Sequence, residues 1–178
     1  MEIIYNPFEK IAGVKAFLLG GLGMLAASAL AAVNGTHFTG MFSAIYTVST
    51  GWYVPFFELM LIWVPLTVLC ALYCQFFGST HYRLVDIIGT IAFSMIPYLV
   101  ISVGGFIRLL PLGSEIQLLL AVIFVYLSLV WSLMLIFHAL RVSGNLKEQK
   151  LWVGFIFCTM ISQLIYMLFI NKIYLFIL

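Results

Sequence analysis

The sequence predicts an all-α protein: a polytopic transmembrane bundle of five helices, one domain over residues 1–178, with a cytoplasmic N-terminus and a kinked third helix. Three observations predict it. Of the 178 residues, 65% are hydrophobic and 8% charged, where a soluble domain carries roughly a quarter charged and about half apolar residues. Mean hydropathy is +1.20, so a water-facing surface could not be covered. The apolar residues also fall into five runs, and a helix needs about 20 such residues to cross a hydrocarbon core roughly 30 Å thick.

The first run, 16–33, follows Lys10 and Lys15 and ends near Ala29-Leu30-Ala31, which imitates a signal peptide and its cleavage site. Glu2 and Glu9 before it argue against that reading, and the segment is expected to stay as the first span. Ala16, Gly20, Gly23, Ala27 and Ala31 form one stripe of small residues, which lets helix backbones approach closely in lipid. Gly20, Gly23 and Ala27 are therefore a candidate packing seam, either for a homodimer or for another helix of the same chain.

Asn34-Gly35-Thr36 ends the first run and matches a glycosylation triplet close to the bilayer. Beyond it, Phe38, Met41, Phe42, Ile45 and Val48 recur at helical spacing, which fits an interfacial helix or a loop packed on the bundle. The second run, 52–77, carries Glu58 about two turns from its start, with Arg108 as a candidate partner across the membrane's outer half.

The third run, 84–107, is the most informative. Asp86, Thr90, Phe93, Pro97, Gly104 and Arg108 fall within a sector of about 80° at helical spacing, with Gly89 beside it. Pro97 lacks an N–H and clashes with the preceding turn, so it should kink the helix. Gly89, Pro97 and Gly104 mark a packing face turned into the bundle, and this helix is expected to be central. Asp86 sits in its first turn, where the helix dipole favours an anion, with Arg83, Lys15 and Arg141 as candidate partners.

The fourth run, 116–138, shows Gln117, Ala121, Phe124, Ser128, Trp131 and His138 on one broad face. The fifth, 151–171, shows Trp152, Thr159, Gln163 and Tyr166. Gln163 lies mid-membrane and must hydrogen-bond, to a neighbouring helix or across a wet cavity. An intramembrane carboxyl raises the same question. Glu58, Asp86, Arg108 and Gln163 are thus candidate polar sites, either structural pairs or the lining of a transport path.

Lys10, Lys15, Arg83, Arg141, Lys147 and Lys150 fall on one side of the five runs, and Arg108 and Lys172 on the other. The positive-inside rule then puts the N-terminus in the cytoplasm. Trp52 and Tyr53 occupy the outer interface, Tyr82 and Trp152 the inner one.

Net charge is only +2, so nothing suggests nucleic acid. Cys70, Cys74 and Cys158 lie in apolar runs and read as small hydrophobes. Cys70, Cys74, His81 and His138 share one side without the spacing of a zinc motif, so neither metal nor cofactor is expected. No Walker loop, HExxH or G-x-S-x-G is present. Asp86 has no partner aspartate, and Ser128 and His138 are separated by about 15 Å of helix. The expectation is no enzyme and no catalytic residue.

The third run reads Asp86-Ile87-Ile88-Gly89-Thr90 through Pro97-Tyr98, and Asn6-Pro7-Phe8-Glu9 precedes the first. With five spans and a cytoplasmic start, the chain resembles the Yip1 family, especially its bacterial branch. The resemblance implies a non-enzymatic role in membrane organisation or trafficking, through self-association or recruitment of other membrane proteins among the lipids of an inner membrane. The family's eukaryotic branch binds Rab-type GTPases through a long N-terminal region. This chain has a short one, lacks the Asp-Leu-x-Gly-Pro motif and has Gly89-Thr90 for Gly-Tyr, which argues against carrying GTPase binding over. The rival expectation is a small transporter or channel subunit using Glu58 and Asp86.

Overall fold

A computed structural model describes residues 7–47, 51–78 and 83–177, without the side chains of Glu9 and of residues 171–177. Asn6, Val48, His81 and Tyr82, as well as the Lys172 side chain, lie outside what is described. Helix α1 spans Gly13–Asn34, α2 Val54–Phe77, α3 Leu84–Phe93, α4 Pro97–Gly104, α5 Ser114–Val142 and α6 Glu148–Ile177. Two short 3₁₀ turns, Pro7–Glu9 and Gly105–Leu109, flank the first and third helical spans. Five stretches are long and apolar enough to cross a membrane, with α3, α4 and the second 3₁₀ turn making one of them, Leu84–Leu109. They fit a multi-pass membrane protein, and their ends lie within a few residues of the predicted runs except at α5 and α6, which start earlier or end later.

The small residues of α1 explain its place. Ala16, Gly20, Ala27 and Ala31 are buried, and α1 packs most extensively on α3 and then on α4. A Cβ on Gly20 would stand 2.2 Å from the Ala92 backbone carbon, and one on Gly89 2.2 Å from the Gly13 carbonyl oxygen. A Cβ on Gly23 would stand 3.0 Å from Ile96. The stripe is therefore filled by the third span of the same chain. Phe8 of the first 3₁₀ turn is buried and packs edge-on to Phe93, the last residue of α3, at 5.7 Å.

The third span is the most enclosed: 56% of its most apolar window is buried, against 33% to 44% in the others. It is broken between α3 and α4, where Met95, Ile96, Tyr98 and Leu99 donate to carbonyls three residues back. Tyr98 N–H bonds to Met95, which leaves the Ser94 carbonyl outside the helical ladder. The Ser132 hydroxyl of α5 donates to that carbonyl at 2.8 Å. Ser102 ties α4 to α1 by donating to the Ala27 carbonyl at 2.9 Å. Leu59, Ile62 and Leu66 of α2 meet Ile91, Met95, Tyr98 and Ile101 of the third span in the core. Helix α6 leans chiefly on α2, while α5 leans on α4 and α3.

Between α1 and α2 the described residues form no interfacial helix but a loop packed on the bundle, the second of the two expectations, and part of it is a short hairpin. Strands β1 (Thr36–Phe38) and β2 (Ala44–Tyr46) pair antiparallel, with His37 opposite Ile45. The apolar spacing over 38–48 imitated a helix, but Gly40 takes φ +118°, which no helix accommodates and which glycine adopts at least cost. Thr36, His37, Phe38, Gly40 and Met41 are all buried.

Candidate functional site

A hairpin sunk against apolar helices cannot leave its N–H and C=O groups unmet, because the surroundings offer no water-like partner. The side chains that meet them define the site. Asn34 accepts from the Thr36 N–H at 3.1 Å and the Thr36 hydroxyl at 2.5 Å, and donates to the Ser102 carbonyl. The residue that reads as a glycosylation acceptor is an Asx-type cap holding the first strand to α4. Glu58 of α2 accepts from the Phe38 N–H at 2.8 Å, and its other oxygen lies 2.7 Å from His37 Nδ1. Gln163 of α6 accepts from the Met41 N–H at 2.7 Å. The Tyr166 hydroxyl donates to the Phe38 carbonyl, and the Tyr98 hydroxyl donates to the Gly40 carbonyl at 3.4 Å.

The rim is fastened as well. Arg108, exposed at the end of the third span, donates to the Thr47 carbonyl at 2.8 Å. Tyr46 donates to the Ile101 carbonyl at 3.2 Å, and burial pushes its phenol up to about 12, so the donor proton stays in place at neutral pH. Phe38 stacks edge-on against Tyr98 at 5.4 Å. The turn is fitted to its seat: a Cβ on Gly40 would fall 2.3 Å from the Gln163 amide oxygen. A Cβ on Gly104 would press on Phe124 at 2.9 Å and on the Tyr46 hydroxyl at 3.1 Å.

Three of the four candidate polar residues, Glu58, Arg108 and Gln163, thus converge on one hairpin. Their partners differ from those expected. Glu58 meets His37 rather than Arg108, and Gln163 meets loop backbone rather than a helix or a cavity. Asp86 is not part of the site. It lies in the first turn of α3 at the opposite end of the span, where a Cβ on Gly13 would stand 3.0 Å from its carboxylate. Gly89 belongs to the α1–α3 contact, and Pro97 opens α4.

Asn34, His37, Tyr98 and Tyr166 were not singled out as site residues by sequence reasoning. The signal available was the Asn34-x-Thr36 spacing, an Asx-turn pattern, and a glycine at position 40 between apolar residues at helical spacing. Elsewhere, Cys70 of α2 and Cys158 of α6 are brought within hydrogen-bond reach of each other. Among the described residues no group of His, Cys, Asp and Glu is arranged to hold a metal.

The class these features define is a helical bundle with five helices long enough to span a membrane and a hairpin anchored in one end. No family model matches the chain, and no curated protein or solved structure matches it.

Proposed function

We propose that this chain is a non-enzymatic, Yip1-like integral membrane protein that acts by self-association or by recruiting partners in the bilayer. In this reading the N-terminus faces the cytoplasm, the third span bends at Pro97, and the hairpin closes the outer end of the bundle. The observation that carries it is the use made of the polar groups within the spans. Glu58, Arg108 and Gln163 each hold the hairpin, which supports a structural role for them over a transport role. Much of the remaining surface is apolar, including Leu18, Leu22 and Leu25 on α1 and Leu164, Met167 and Leu168 on α6, and is free for lipid or for another membrane protein. The α1 small-residue stripe is occupied within the chain, so association would use these outer faces.

One observation favours the rival, a proton-coupled transporter or channel subunit: the buried His37–Glu58 contact is built from two titratable side chains. One experiment separates the two. Crosslinking in native membranes is expected to give species larger than the monomer, while proteoliposomes loaded with a pH-sensitive dye show no proton flux that Glu58→Gln removes. Monomers alone under several growth conditions would overturn the proposal, and flux abolished by Glu58→Gln would favour the rival.

A further inference from the structure

We infer that the groove between α5 and α6 is a binding site for one anionic phospholipid. The proposal deepens the membrane reading above, and depends on the proposed orientation only for the leaflet, which is the cytoplasmic one.

The groove follows from how the last two helices pack. Only residues 143–147 connect α5 to α6, yet α5 leans on the third span and α6 on α2. The two also touch each other, and a cavity of about 380 Å³ lies between them. Val130, Met134 and Phe137 line one wall, Trp152 and Phe155 the other, and Arg141 is the one fixed charge in the lining. The aromatic rings brace one another: Phe137 lies 4.7 Å from Trp152 and 5.6 Å from Phe155, centroid to centroid.

Length and charge identify the occupant. From Val130 to Arg141 the α5 wall runs about 16 Å along the helix axis, close to the thickness of one leaflet's hydrocarbon, roughly half of 30 Å. An acyl chain laid along Val130 and Met134 therefore brings a phosphate level with the Arg141 guanidinium. A peptide helix has no comparable reason to place an anion there. Lys147 and Lys150, both exposed, stand on the adjoining turn with Glu148 as the one carboxylate among them. Arg141 gives the lining its positive charge, and the adjoining turn adds to it, so a headgroup with net negative charge is held better than a zwitterionic one. Trp152, at the start of α6 and exposed, sits where an indole anchors to the headgroup region.

The test uses the purified full-length protein in detergent, titrated with phosphatidylglycerol or phosphatidylcholine and read by native mass spectrometry. Phosphatidylglycerol is expected to bind more tightly by on the order of fivefold, the effect of one basic side chain near a lipid headgroup. Arg141→Gln should bring the ratio close to one, and Arg141→Lys should restore most of it. Met134→Trp should fill the groove and weaken both lipids, whereas Leu127→Trp, exposed on the same helix outside the lining, should weaken neither. Equal affinity for the two lipids overturns the proposal. So does a preference that survives Arg141→Gln, or a Met134→Cys crosslink to a second copy of the chain. Failure by lipid affinity leaves the association reading untouched, whereas failure by the Met134→Cys crosslink supports that reading and places its interface on this groove.

Discussion

A carboxylate within a membrane span costs at least about 3 kcal/mol unless it finds polar partners, and Glu58 meets the Phe38 N–H and the His37 ring. Its oxygens are used separately, one receiving the Phe38 N–H and the other facing His37 Nδ1. Glutamine can keep the first contact through its carbonyl oxygen, and leucine can keep neither. Glu58→Leu is therefore expected to destabilise the protein by about 3–5 kcal/mol, the usual consequence of breaking a buried polar pair. Glu58→Gln should cost roughly half as much. Denaturant unfolding of the detergent-solubilised protein measures both, and equal stabilities for the two variants would show that the acceptor geometry does not hold the hairpin. That Glu58 needed a partner was legible in the sequence, because any acid in an apolar run does. The identity of the partner was not. His37 is 21 residues away, and the contact exists only because β1 turns inward, a fact set by long-range bonds from Gln163 and Tyr166 that no local pattern encodes.

At the scale of elements, the five apolar runs were readable because each span must satisfy its own backbone and cover itself with apolar side chains. The hairpin was unreadable for the complementary reason. Much of its backbone is satisfied by other elements, so beyond Asn34-x-Thr36 and Gly40 its own residues carry a misleading helical spacing over 38–48. The α1–α3 contact lies between these cases: its glycines were visible, but which helix they admit is a tertiary outcome. Two adjacent glycines make the contact testable. A Cβ on Gly20 would collide with the backbone of Ala92 and Phe93, and one on Gly21 meets nothing within 4 Å. Gly20→Ala must push two backbones apart and is expected to cost about 1–3 kcal/mol, the usual range for overpacking. Gly21→Ala should be neutral or slightly stabilising, because alanine is the better helix former. Thermal unfolding in detergent compares them, and identical midpoints would show that α1 does not seat against the third span in this way.

At the scale of the whole molecule, three helices long and apolar enough to cross a membrane separate the hairpin from the α5–α6 junction, so the two are expected on opposite sides of a bilayer, and charge predicts which side is which. Lys10, Lys15, Arg83, Arg141, Lys147 and Lys150 lie with the junction, Arg108 and Lys172 with the hairpin, so the junction should face the cytoplasm. The native thiols are buried, which permits a clean background after their replacement by alanine. Ser43 at the hairpin turn and Lys147 at the junction are both exposed, so cysteine at either position should react without disturbing a core. A membrane-impermeant maleimide added to intact cells is expected to label Ser43→Cys, and to label Lys147→Cys only after permeabilisation. The reverse pattern would invert the bundle and move the anionic-lipid groove to the outer leaflet. Labelling of both from outside would mean that an even number of spans separates them, and would overturn the reading of all three helices between residues 43 and 147 as spans. The experiment thus reads the span count and the orientation separately, and the two rest on different physics: apolar length for the first, charge asymmetry for the second.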